Sequence, residues 1–237
     1  MNNTELLNTL KQAFRIFLMS GSRSNQKLYV LHSKIANDIL SLLPSDYSCK
    51  SLGIDDNKES EIKGRYYDKK VDITFYKNGK SIAGLGVKMI MQNYSQNANN
   101  YFENMLGETA NLRSNRIPYF QVFIIPDKLP YYNSNGIIEK WEEFSIHNSL
   151  KYRVMSMDNI ETFAHTPTKT LLFVYHIPDI QNFNVRTKND YKTYYLQRLE
   201  DLQLTASSID YGTFDEAVIF NDYENFIRKT VHYILSL

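Results

Sequence analysis

The chain has 237 residues, 43% of them hydrophobic, and a formal net charge of +1. That length can bury a full core as one domain or one domain with a helical arm, and the near-neutral balance by itself points to no charged partner. A single cysteine, Cys49, excludes an internal disulfide framework and fits a reducing cytoplasm.

Thr4 is placed to cap a helix that runs to about Met19, with Leu7, Leu10, Phe14, Phe17 and Leu18 along one stripe and Gly21-Ser22 at its end. Its apolar run, Ile16-Phe17-Leu18-Met19, is too short for a signal peptide or a membrane span, so no membrane partner is expected. A second helix runs from about Asn25 to Leu43, where Pro44 stops it, with Leu28, Leu31, Ile35, Ile39 and Leu42 on its apolar side. Residues 1–45 thus read as a helical pair that covers a sheet. His32, beside the second stripe, reads as a packing or surface residue. Asp46 to Lys58 is polar and loop-like. Glu61 to Tyr67 reads as a strand. Glu61-Ile62-Lys63 has the form Glu-x-Lys, but Asp55 and Asp56 stand too close before it for a hairpin to intervene.

The next stretch is the most informative. Val71, Ile73 and Phe75 alternate with Asp72 and Thr74, the period of a half-buried strand. Asn78-Gly79 is a strong hairpin-turn signal, and Ile82 to Ile90 carries a strand back. Two registers are open. A plain two-residue turn puts Asp72 opposite Leu85, with Lys88 on the other face. A three-residue loop, or a bulge at Gly84 or Gly86, moves Asp72 opposite Gly86 and brings Lys88 onto its face. From Lys63 to Lys88 there are seven Lys or Arg and two Asp, whereas Glu200 to Ile227 holds seven acids and no Lys or Arg. The hairpin is therefore either an ordinary solvated basic face or the source of a positive field that draws in a polyanion.

Five Asn and two Gln lie between Gln92 and Asn104, an unusual start for a helix expected from about Asn97 to Leu112. Its buried stripe is Phe102, Met105, Leu106, Thr109 and Leu112, with Glu103 on one flank and Glu108 on the other. The amides either cap and solvate the turn or contact phosphates and base edges. Asn93, Gln96, Asn97, Asn100 and Arg113 are the candidates for such contact. Beyond this helix, Tyr119–Ile125 and Leu171–His176 read as buried strands, 136–144 as a short helix carrying Trp141, 151–155 as a strand, and 190–202 and 221–237 as helices. His147, His165 and His176 share no metal spacing. No phosphate-binding glycine loop and no nucleophile elbow occurs, so no nucleotide cofactor is expected.

Asp72, the hairpin, and Gly86-Val87-Lys88 resemble the core motif of the PD-(D/E)xK nuclease superfamily, which includes many type II restriction endonucleases. Val71 stands where that motif has Pro, and Gly86 where it has its second acid. Some members move this acid to the following helix, where Glu103 and Glu108 stand here; Glu103 is preferred because it is nearer to Lys88 along the chain. The resemblance covers roughly residues 64–113. It implies an α/β restriction-endonuclease-like fold, a mixed sheet of about five strands flanked by helices. The catalytic core would occupy 60–125, and 126–237 would supply the remaining core with recognition and dimerisation elements. It implies Mg2+ held by Asp72, Glu103 and the Val87 carbonyl, with Lys88 at the attacking water and Glu61 helping from the side. The implied activity is cleavage of double-stranded DNA at a short sequence by a homodimer. The alternative is a DNA-binding protein of the same fold with a repair role or an inactive centre.

Overall fold

The computed structural model describes residues 1–21, 24–54, 57–181 and 184–237. Ser22, expected at the end of the first helix, and Asp55 and Asp56 lie outside the described residues. The N-terminal pair is α1 (Asn3–Ser20) and α2 (Gln26–Leu40). Asn2, not Thr4, caps α1: its Oδ1 accepts from the Glu5 amide at 3.0 Å. Gly21 ends α1 at φ 82°, donating to the Phe17 carbonyl at 2.8 Å. Five short strands follow: β1 (Tyr47–Ser51), β2 (Ser60–Lys63), β3 (Asp68–Val71), β4 (Ile73–Lys77) and β5 (Lys80–Met89). The long helix α3 (Tyr94–Arg113) leads to β6 (Tyr119–Pro126), β7 (Lys128–Tyr132) and β8 (Ile138–Glu143). The chain closes with α4 (Ile146–Ser156), β9 (Lys169–His176), α5 (Lys188–Gln197), β10 (Thr205–Ala206), β11 (Val218–Phe220) and α6 (Tyr223–Leu235).

The architecture is α/β, a mixed sheet of seven strands rather than about five, flanked by helices. Its order is β1-β4-β5-β6-β9-β10, with β11 also on β9. β4 is antiparallel to both β1 and β5, whereas β5, β6 and β9 are parallel, joined by helical crossovers. All eight residues of β6 are buried, as a parallel strand covered on both faces must be. One core fills the space between the sheet and α1, α2, α5 and α6, and contains Phe14, Ile35, Phe75, Leu85 and Ile227. A second, with Ile90, Met105, Phe123 and Tyr152, lies under α3 and α4. Each fully buried side chain of this size contributes about 1.5–3 kcal/mol. Among the described residues no helix is long and apolar enough to cross a membrane.

Several expectations need correction. Residues 47–51, read as loop, form edge strand β1, with Tyr47, Cys49 and Ser51 turned inward. Residues 136–144 are not a helix: Ile138–Glu143 pairs with β7 in a separate ribbon, with Trp141 opposite Pro130. Residues 151–155 are not a strand but lie inside α4, whose N-terminus is a capping box between Ser145 and Asn148. The helix expected over 190–202 is α5, and its tyrosines, Tyr191, Tyr194 and Tyr195, are buried; Tyr195 meets Phe14 edge-on at 5.4 Å between centroids.

The β4–β5 hairpin settles the register. Asn78 and Gly79 both have positive φ, 51° and 75°, the backbone of a type I′ two-residue turn between Lys77 and Lys80. Phe75 pairs with Ala83 while Tyr76 pairs with Ser81, so Ile82 is an extra residue and the bulge sits there. From Ile73 opposite Leu85, one step further sets Asp72 against Gly86. This is the shifted register, produced by a bulge earlier than either glycine.

Candidate active site

Alternation along β5 decides which groups meet. Leu85 and Val87 face the core under α1 and α2, so Gly86, Lys88 and Ile90 face α3. The Gly84 and Ile90 amides donate to Pro118 and Ile124, toward β6. The Val87 backbone therefore turns the other way, and its amide donates to Asp72 Oδ2 at 2.6 Å. Asp72 stands just before β4, so no ladder bond competes for that amide; the Val87 carbonyl points to the same side. The result is a cavity of about 210 Å³ under α3, lined among others by Lys69, Asp72, Lys88, Tyr101, Glu108 and Tyr119. Asp72 and Lys88 thus share one cavity.

The electrostatics follow from the position. Burial pushes the Asp72 carboxyl above its usual range, and Glu108 adds to this; the Val87 amide and Lys88 pull the other way without cancelling it. Lys88 is exposed, with its Nζ 5.1 Å from the centre of the Tyr101 ring. Glu108 Oε1 is 2.6 Å from Lys69 Nζ, and its Oε2 accepts from the buried Tyr119 hydroxyl at 3.3 Å.

Glu108, not Glu103, is the helix carboxylate delivered to the cavity. The two are five residues apart, about 140° around the helix axis. Glu103 is exposed, and Lys151 of α4 lies in its field.

Gly86 has a local reason to lack a side chain. A Cβ there would lie 2.2 Å from the Tyr119 hydroxyl and 2.8 Å from Gln121 Oε1. The space an acid would need on the strand is filled by the tyrosine that holds Glu108. Gly86→Ala is therefore expected to destabilise the protein by about 1–3 kcal/mol. Tyr119→Phe, which removes the nearest atom, is expected to return part of that in the double variant. Thermal unfolding of the two singles and the double checks this; strictly additive losses would mean that the two residues do not compete for space.

The remaining candidates separate into structural and solvent-facing residues. Arg113 donates to the carbonyls of Ile160, Phe163 and Thr166, so it ties down a loop instead of facing an open surface. Asn93, in the left-handed region at φ 51°, exchanges hydrogen bonds with the Tyr132 backbone and pins β7. Gln96 and Asn100 are exposed and Asn97 is half-buried, all at the start of α3. Glu61 is exposed on the β2–β3 ribbon opposite Lys70 and does not line the cavity.

No family model, curated protein or solved structure matches this chain. Another carboxylate, Asp127, lies 3.2 Å from His176 Nδ1 and accepts from Ser207 Oγ at 3.0 Å. Both groups address the same acid, so the imidazole does not activate that hydroxyl. A cavity of about 200 Å³ beside Trp141 and Tyr195 contains Lys128 and Asp179, already paired at 2.8 Å.

The cavity under α3 differs in that it combines a desolvated carboxylate, a second carboxylate, a strand carbonyl and an ammonium group. The oxygen set suits a hard divalent cation such as Mg2+, which needs only one or two protein carboxylates. Two residues near it carry no motif signal. Glu59 and the buried His32, which do not line the cavity, each bring a ligand atom within 4.8 Å of one on Asp72. Burial drives the His32 imidazole down to about 4, so it is neutral near pH 7.

Proposed function

We propose that the protein is a Mg2+-dependent type II restriction endonuclease that hydrolyses phosphodiester bonds of double-stranded DNA at a short specific sequence, as a homodimer. The observation that carries this reading is the shared cavity of Asp72 and Lys88, produced by the Ile82 bulge. Asp72 and Glu108 would hold the cation, with the Val87 carbonyl as a third oxygen. Bound there, Mg2+ would lower the pKa of a water and stabilise charge on the phosphate. Lys88 would orient the attacking water and hold the phosphate oxygen, and the ring of Tyr101 would keep its ammonium at the cavity. Lys69 and Lys70 extend the positive lining toward the DNA backbone. The homodimer follows from the chemistry: a two-fold DNA site needs one centre per strand.

The test is incubation with unmodified phage and plasmid DNA in Mg2+, with Ca2+ as a non-cleaving control. Discrete fragments are expected, together with a dimer on gel filtration in the presence of DNA. A smear would favour a nuclease of the same fold without a site. A second reading, a DNA-binding protein with an inactive centre, draws on the Lys69–Glu108 ion pair, which already neutralises the second acid. Salt-dependent binding without cleavage in Mg2+ or Mn2+ would establish it in place of the first.

A further inference from the structure

We propose that His32, Glu59 and Asp72 form a site for a divalent transition metal of the Mn–Co–Zn series, on the α2 side of Asp72. One ligand atom from each lies within 4.8 Å of the other two. His32, on α2, has no exposed surface, and among the described residues neither of its ring nitrogens has a hydrogen-bond partner. A buried imidazole next to two carboxylates ordinarily bonds one of them. Here each acid is directed elsewhere. Asp72 Oδ2 takes the Val87 amide at 2.6 Å, and Glu59 Oε2 lies 3.4 Å from the largely exposed Lys70 ammonium.

The three side chains thus converge without bonding one another. Their spacing suits an intervening cation better than a proton. Three ligand atoms at about 2.0–2.2 Å from one ion are about 3.3–3.8 Å from one another, so the side chains close the shell by drawing together by up to about 1–1.5 Å, within reach of a rotamer adjustment. Glu59, partly exposed, has the freedom to make that shift by leaving Lys70. One nitrogen and two carboxylates are the donor set of a transition metal rather than of Mg2+, because imidazole adds little for a hard cation. Asp72 is the element common to this site and the cavity under α3, which His32 and Glu59 do not line. The site stands on these side chains alone and goes beyond the nuclease reading.

The experiment titrates Co2+ into the metal-free, full-length protein without DNA, following visible absorption, with Mn2+ and Zn2+ affinities by calorimetry. One equivalent is expected, with absorption characteristic of nitrogen ligation. His32→Gln is expected to weaken binding by at least about 100-fold, and Glu59→Gln by about 10–100-fold. Should His32→Gln fail to fold, Glu59→Gln at the rim and the rise in wild-type melting temperature with added Zn2+ give the answer. No binding in the wild type at millimolar metal, or binding that both substitutions leave unchanged, would overturn the proposal. Cleavage is not part of the readout, so a protein that binds Co2+ through His32 and cuts no DNA keeps this site and loses only the nuclease reading.

Discussion

Asp72→Asn is expected to abolish cleavage and, in EDTA-treated protein, to raise the melting temperature at neutral pH. The first effect follows from its place as the shared anchor: losing several kcal/mol of charge stabilisation in the transition state is worth on the order of 10³-fold or more. The second follows from the direction in which its carboxyl is shifted. Its folded value lies above the unfolded one, chiefly because of burial. The native state therefore binds that proton more tightly than the unfolded chain does. The stability this contributes is fully present below the unfolded carboxyl value and is lost as pH rises through the folded value. At neutral pH the charge is a burden, and the asparagine amide removes it while its oxygen still accepts from Val87. The advantage of the variant should shrink as pH falls to about 4, the unfolded carboxyl range. Melting curves between the two pH values, alongside single-turnover cleavage, read both effects. A variant less stable than wild type at neutral pH would mean that Asp72 is held as a simple ion pair with Lys88.

The parts of this fold that could be read from residues alone are those where period and turn chemistry agree. The hairpin is the clearest instance, because Asn78-Gly79 selects a turn with two positive φ values and Ile73 and Phe75 must face inward. Its bulge was less legible. Ile82 carries no glycine-like signal, and the choice is made by how Ile73, Phe75, Ala83 and Leu85 fill the core beneath α1 and α2. Segment 136–144 reads as a helix from sequence because β8 packs on a ribbon outside the main sheet. Only Glu142 of its six residues is buried, so no apolar alternation marks it. Arg113 reads from sequence as a candidate DNA contact, but its three carbonyl partners lie 47–53 residues away in sequence. His32 reads as a packing or surface residue for a similar reason: Glu59 and Asp72 come near it only in the folded chain. A metal motif defined by spacing has no means of registering that.

The choice between the two glutamates of α3 shows where sequence runs out and gives the sharpest contrast in activity. Glu103→Gln is expected to change cleavage by less than about twofold, the ordinary behaviour of an exposed surface substitution. Glu108→Gln is expected to lower it by at least about 100-fold and to raise the Mg2+ concentration needed, since a metal ligand is lost. On a helix wheel both residues flank the same buried stripe, and nothing local separates them. The choice is made from outside the helix: the Tyr119 hydroxyl occupies the volume above Gly86, Lys69 reaches across from β3, and both bond Glu108. Because that ion pair is part-exposed, breaking it should cost only about 0–1 kcal/mol of stability. An inactive Glu108→Gln protein should therefore still be folded, with a melting temperature close to wild type. Measuring cleavage against Mg2+ concentration for both variants separates the outcomes. If Glu108→Gln cuts normally, this carboxylate is only a brace for Lys69 and Tyr119, and Asp72 would have to hold the cation without it.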